Sequence, residues 1–203
     1  MMNGEAMDEI PAPRPYRHGN LPNALRGAAR AILDESGPEA VGLRETARRV
    51  GVSATAAYRH FSSKEDLLAS VAAEGFRELT AAMEAAADAS DPLIGVGLAY
   101  VEFALRKRGL FRLMFGPILV ERARYPALNE AANAAFDCVQ RVAGGGGQGG
   151  AQEEGATASM AAWGLVHGLS ALFIDDLVPE AQARDLAQEI LLGGAKPEHR
   201  PAA

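Results

Sequence analysis

A single cysteine, Cys138, in 203 residues excludes an internal disulfide, and its place in an apolar helical pattern points to a buried thiol. There are four histidines, none in an HExxH spacing and none grouped with cysteine, so no metal site is expected. No run of about 18 consecutive apolar residues offers a membrane span. The opening MMNGEAMDEIPAPRP has neither the basic start nor the apolar middle of an export signal. A cytoplasmic chain with no membrane partner is therefore expected. No segment alternates apolar and polar residues as a half-buried strand does, and no internal repeat is evident. Catalytic groups are not clustered, which speaks against an enzyme, and no cofactor is expected.

Apolar residues make up 48% of the chain, enough to fill a core. The net charge of −6 hides an asymmetry. From Ile10 to Lys64, nine basic residues face four acidic ones, a net +5, while residues 65–203 carry a net −8. A basic end on an acidic chain suggests a module that faces nucleic acid, joined to a body with another task.

Helical periodicity recurs along the chain after the first 13 residues, and an all-α fold of about nine helices is predicted. Residues 1–13 read as a disordered tail. Asn20 is placed to cap a first helix carrying Leu21, Leu25, Ala28, Ile32 and Leu33, stopped by Gly37-Pro38. Gly42 stands at the cap of a short second helix, Leu43 to Val50, which ends at Gly51. Ser53 then caps a third helix running to about His60. Ser62 and Glu65 have capping-box spacing ahead of a long fourth helix to about Ala87, roughly 35 Å long. Asp91-Pro92 opens a fifth helix to about Leu105, followed by the short apolar segment GLFRLMFG. Further helices are expected over Pro126–Val142, Glu153–Leu177 and from Pro179 to Leu192. Between the first two of these, GGGGQGG, residues 144–150, reads as a flexible loop.

Three short helices with a glycine-containing turn between the second and third make a helix-turn-helix unit, whose last helix fits a major groove. Thr55 and Arg59 can reach base edges, Arg59 through bidentate bonding to guanine, while Ala54 can at most touch a thymine methyl. Tyr58 and His60 offer phosphate contacts that fix register. Ala57 and Phe61 belong to the buried face. Lys64, a cation in the first turn of a helix, opposes the helix dipole unless a phosphate lies there. The stretch GLRETARRVGVSATAAYRHFSSKEDLLASV, Gly42 to Val71, resembles the DNA-binding domain of the tetracycline-repressor (TetR) family of bacterial transcription regulators. The shared features are the helix-2 alanine, the Gly-Val-Ser turn, Tyr-x-His-Phe, and Ser-Lys-Glu-x-Leu at the start of helix 4. The resemblance implies backbone contacts from Tyr58 and His60 and a DNA-facing place for Arg44 and Ser53. It departs at Gly42, where the family commonly has a serine or threonine cap. A DNA-binding domain over residues 14–66 and a ligand-binding, dimerising body over residues 67–203 follow from it.

Within the body, AWGLVHGLSALFIDDL, Ala162 to Leu177, is apolar almost all round. Ala161, Gly164, Gly168 and Ala171 form a small-residue stripe suited to close helix approach, either across a two-fold dimer interface or within the chain. Trp163 and His167 share one face, and Trp-x-x-x-His-Gly, with GLFRLMFGP upstream, resembles a C-terminal class of the same family. A core histidine bonded to a neighbouring carbonyl is preferred to an acid or a metal ligand at His167. Asp175-Asp176 reads as a solvated turn. Tyr100, Phe103, Phe111, Met114, Phe115, Phe136, Trp163 and His167 are the candidates for an apolar effector pocket, although residues at such spacing also build cores.

The resemblance implies a homodimeric repressor that binds a pseudo-palindromic double-stranded operator, with half-sites about 34–36 Å apart or somewhat more. A small, largely apolar effector would release it. The rival readings are a non-specific DNA-binding protein and a small-molecule carrier or enzyme.

Overall fold

The computed structural model describes residues 20–119, 121–143 and 151–193. The predicted tail over residues 1–13 and glycine loop over 144–150 lie outside them. Among the described residues the chain forms nine α-helices and no strand: α1 Leu21–Ser36, α2 Leu43–Val50, α3 Ala54–Tyr58, α4 Lys64–Ala86, α5 Pro92–Arg106, α6 Arg108–Phe115, α7 Pro126–Ala143, α8 Ala151–Ile174 and α9 Glu180–Gly193. Single 3₁₀ turns occupy Pro38–Ala40, Pro117–Leu119 and Arg122–Arg124. The apolar segment GLFRLMFG is thus itself mostly helix, separated from α5 by one non-helical residue, Lys107.

Helices α1 to α3 close a small core around Leu25, Ile32, Leu33, Ala47, Ala57 and Phe61. The periodic residues of α1 carry it, since Leu25, Ala29, Ile32 and Leu33 are all buried. Asn20 stands at the head of α1 but makes no side-chain cap, while Pro22 in the first turn gives up no needed N–H. Gly51 ends α2 in the left-handed region, φ 77° and ψ 30°, and the N–H of Val52 reaches back to the carbonyl of Ala47. That closing bond is the Schellman pattern, which a Cβ at Gly51 would strain. Gly51→Ala is expected to cost about 1–2 kcal/mol, read as a lower midpoint in urea unfolding.

Helix α4 runs from this unit into the body, where α7 packs along it and α5, α8 and α9 complete the bundle. Its buried stripe, Leu68, Val71, Ala72, Gly75, Phe76, Leu79 and Met83, is the face the periodicity marks. Gly75 admits α6, because a Cβ there would lie 2.6 Å from the Met114 sulfur.

The predicted capping box shifts by one residue. Ser63, not Ser62, is the N-cap, accepting from the N–H of Asp66 at 3.1 Å. The Asp66 carboxylate in turn accepts from the N–H of Ser62 at 2.8 Å. A Ser-Ser doublet followed by Glu-Asp allows both registers, and the shorter carboxylate folds back onto the backbone. The third helix also stops at Tyr58, two residues earlier than its periodicity predicts, with Arg59 at its C-cap.

Candidate nucleic-acid interface and ligand cavity

On α3, the Ser53 hydroxyl accepts from the N–H of Ala56 at 3.2 Å, which fixes the start of the helix. Ala57 is fully buried and Phe61 nearly so, which turns the opposite face outward. Thr55, Tyr58, Arg59 and His60 lie exposed on that face, and Ala54 is half-buried at its edge. Tyr58 is 51% exposed, unusual for so large an aromatic ring. Arg44 is exposed on α2.

The charges near this face divide into two sorts. Arg49 is held by Glu35 at 2.7 and 2.9 Å, and Arg48 by Glu45 at 2.7 and 2.8 Å. Glu45 is drawn down to about 2, first by the Arg48 hydrogen bonds and then by Arg49. The side chains of Arg44, Tyr58, Arg59 and His60 take part in none of the ion pairs or hydrogen bonds among the described residues. Their donors stand free on one surface. Lys64 is intermediate, because its ammonium donates to the Glu39 carbonyl at 3.0 Å and lies 3.5 Å from the Glu39 carboxylate. This bond offers an internal reason for a cation at the head of α4.

Two ion pairs tie α1 to α4, and a third, within the body, shares one of their carboxylates. Arg26 pairs with Glu74, Arg30 forks onto both oxygens of Glu78, and Lys107 reaches Glu78 from the turn between α5 and α6. The Arg30 hydrogen bond, helped by Lys107, holds the Glu78 carboxyl at about 2, against an ordinary value of 4.5. A depressed carboxylate adds stability above its unfolded pKa and loses it as pH falls through the folded one. After solvent screening the contribution is about 1 kcal/mol. Glu78→Gln is therefore expected to be less stable than the parent at neutral pH, with the difference closing between pH 4.5 and 2. Urea titrations across that range measure it.

Within the body a cavity of about 410 Å³ opens between α5, α7, α8 and α9. Its wall is aliphatic, from Leu93, Ile94, Val139, Val166 and Leu191, and Tyr100 is the hydroxyl-bearing residue that lines it. Buried Tyr100 bonds through that hydroxyl to Nδ1 of His167 at 3.0 Å. Burial pushes the Tyr100 phenol well above its usual range. Burial, and then the nearby Arg122 cation, pull His167 below its usual value, so its imidazole is neutral at pH 7. Arg122 is half-buried over the rings of Phe76 and Phe115, at 5.2 and 5.7 Å, and donates to the Met114 carbonyl at 2.8 Å.

The predicted pocket residues are distributed unevenly around this space. Tyr100, Phe111, Phe115, Trp163 and His167 form one continuous aromatic cluster, with His167 4.6 Å from Phe115 and stacked on Phe111 at 5.5 Å. Phe136 joins it through Trp163 at 5.1 Å. Phe103 points elsewhere, under the Lys107 ammonium, and the Met114 sulfur sits against Gly75. Of the eight, Tyr100 borders the aliphatic cavity, whereas most of its wall comes from aliphatic residues not among the predicted pocket residues. Ala161 is among them.

Around the small-residue stripe the chain leaves open space. No atom beyond the helix's own backbone lies within 4 Å of where a Cβ would stand at Gly164 or Gly168. Close packing inside the chain therefore does not call for either glycine. Ala171 is half-buried, and Leu165 and Leu172 beside the stripe are 44% and 45% exposed. Past α8, Asp176 takes a left-handed backbone, and the turn is pinned by Arg112 to Asp175 and by Arg108 to Asp176. Cys138 is buried, and burial pushes its thiol up. No group of three metal-ligating side chains occurs among the described residues.

An all-helical body behind a helix-turn-helix unit whose outward donors are unpaired defines a DNA-binding regulator of the two-domain helical class. The family model for bacterial regulatory proteins of the tetR family matches residues 25–71, and that for the tetracyclin repressor-like C-terminal domain matches residues 93–192. The chain belongs to the TetR family. A protein with unknown function from Rhodococcus sp. RHA1 is 30% identical, with 90% of this chain and 98% of that one covered and a TM-score of 0.68. The fold is shared with the fatty acid degradation regulator FadR from Bacillus halodurans, 17% identical, covering 89% and 99% of the two chains, TM-score 0.67. It is shared too with the multidrug binding protein EbrR complexed with imidazole, 21% identical, covering 84% and 92%, TM-score 0.57. No curated protein matches the chain.

Proposed function

We propose that this chain is a homodimeric transcriptional repressor that binds a pseudo-palindromic operator and is released by a small, largely apolar effector. The observation that carries the reading is the exposed, unpaired set of Arg44, Tyr58, Arg59 and His60 around a capped α3. Thr55 and Arg59, four residues apart, share one stripe and serve as base readers, while Tyr58, His60 and Lys64 hold phosphates. Residues 14–66 are the reading unit and 67–203 the regulated body. Lys64 can exchange its bond to the Glu39 carbonyl for a phosphate oxygen, a stronger acceptor for a cation.

Dimerisation is supported by α8. Its segment Gly155–Ile174 carries no charged residue and is mostly apolar, yet only 33% of it is buried within the chain. A second copy laid along Gly164, Gly168 and Leu172 would cover the remainder and gain from the close approach the glycines permit. The aliphatic cavity, with one buried hydroxyl near it, suits an apolar effector carrying at most one polar group. The role is regulatory rather than enzymatic, in keeping with the family, and places the protein with the chromosome in the cytoplasm.

Selecting bound fragments from the source genome, then comparing a selected fragment with random DNA of equal length at fixed salt, tests the reading. A specific regulator prefers the selected fragment by about 10³-fold or more. Equal affinity with the same salt slope would make this a non-specific DNA-binding protein instead.

A further inference from the structure

A second recess, about 450 Å³, lies where the reading unit meets the body, between α6, α8 and the 3₁₀ turn Pro38–Ala40. It does not share its wall with the aliphatic cavity: Tyr100 borders one, His167 the other, and the hydrogen bond between them lies at the partition. The recess has aromatic surface from Phe111 and Phe115, packed against the His167 ring. Its charges are matched, since Arg112 lies 3.0 Å from Asp175 and Glu39 faces Lys64. A bound molecule therefore meets no net charge.

Beside the Arg112 guanidinium, the aromatic part of this wall carries one unclaimed donor. The phenol of Tyr100 is the better donor and the neutral imidazole the better acceptor, which leaves Nδ1 unprotonated and puts the ring proton on Nε2. That N–H, on the other edge of a half-buried ring, has no partner among the described residues. One turn further along α8 the buried Ser170 hydroxyl also has none. Ser170 does not line the recess, whereas the Nε2–H is not buried and is left for solvent or a ligand.

We propose that this junction recess is a second ligand site, for a neutral aromatic molecule bearing one hydrogen-bond acceptor such as a carbonyl, which His167 Nε2–H would hold. The half-buried rings of Phe115 and His167 supply aromatic contact, and the Nε2–H supplies orientation. The site is also placed to act on DNA binding. Glu39 forms its rim on the side of the reading unit, and the carbonyl of that same residue holds Lys64. An occupant pressing on Glu39 changes the competition between that carbonyl and a phosphate for the ammonium. This coupling, though not the site, rests on the reading of α3 and Lys64 as the DNA-facing surface.

Benzophenone is a neutral aromatic ketone that labels nearby C–H groups on irradiation, and it tests the site on the full chain. Peptide mapping is expected to place adducts on the segments 111–117 and 167–175. Two variants follow: His167→Leu, which removes the donor, and Pro117→Trp, which narrows the mouth at an exposed position. Each is expected to lower that labelling about tenfold; Pro117→Trp melts near the parent temperature, and His167→Leu, which leaves the buried Tyr100 hydroxyl without its acceptor, melts lower but is folded at the labelling temperature. Labelling confined to 93–100 and 190–191, around the aliphatic cavity, overturns the proposal, as does junction labelling that neither variant reduces. Operator affinity with and without saturating benzophenone is expected to differ about fivefold or more, with DNA changing probe affinity by the same factor. Junction labelling with unchanged DNA affinity overturns the coupling. Junction labelling in a chain that binds no DNA leaves the site standing and refutes the regulator reading.

Discussion

Gly168→Arg in α8 is expected to leave the chain folded while lowering affinity for a two-half-site operator by about 10²–10⁴-fold. The position tolerates a long side chain within one copy, since nothing lies within 4 Å of a Cβ there and the residue is exposed. Arginine should even steady the isolated helix, by about 1 kcal/mol over glycine. Only a second copy would feel the change. Between two α8 helices in close contact the guanidinium would be pressed against apolar partners such as Leu172, an unpaired charge that costs several kcal/mol to bury. A monomer then binds each half-site separately and loses the effective concentration that joins them. Sedimentation velocity reads the assembly state, melting reads the fold, and titration of a half-site against a full site reads the avidity. A variant that stays dimeric at the parent's concentration would place the interface elsewhere. A variant that unfolds would mean that these glycines do serve packing within the chain.

The fold was largely legible because its signals are local. Periodic stripes, the turn at Gly51 and the caps at Ser53 and Asp91 each act within a few residues, and every one recurs in the structure. The one-residue shift at Ser63 and the early end of α3 are failures at boundaries, where neighbouring registers differ by little energy. Residues lining the aliphatic cavity were not legible for a different reason. Sequence reasoning looks for aromatic residues, but aromatic side chains fill space, and here they fill it against one another from Phe136 to Phe111. A void forms where side chains fall short. In this bundle that is where Ala158, Ala161 and Ala162 of α8 and Gly97 of α5 line one wall, a coincidence set by how four helices pack. His167 shows the same limit. Its burial could be read from spacing, but its partner is the Tyr100 hydroxyl, 67 residues away, rather than a neighbouring carbonyl.

Arg59→Ala is the counterpart for the DNA-facing surface, and here the effect is expected to be specific to sequence. Arg59 follows the last residue of α3 in near-helical backbone, φ −72° and ψ −20°, so its side chain continues the exposed stripe that begins at Thr55. It belongs to none of the ion pairs among the described residues, unlike Arg49, whose removal would strip Glu35 and Glu45 of a shared partner. Folding stability should therefore change little, and the loss should appear in DNA binding alone. A bidentate arginine–guanine contact discriminates by about 1–3 kcal/mol, or roughly 5- to 150-fold at that base pair. The expected signature is a drop of that size on the selected operator, with relaxed preference at one position in each half-site. Lys64→Ala gives the contrast, because a lost phosphate contact weakens all sequences alike and lowers the salt slope by about one. The alanines of α3 sharpen the comparison: with Ala54, Ala56 and Ala57 offering no polar group, few other side chains on this helix can compensate for Arg59. If Arg59→Ala instead weakens every sequence equally, Arg59 is a phosphate contact, and specificity must come from half-site spacing and DNA shape.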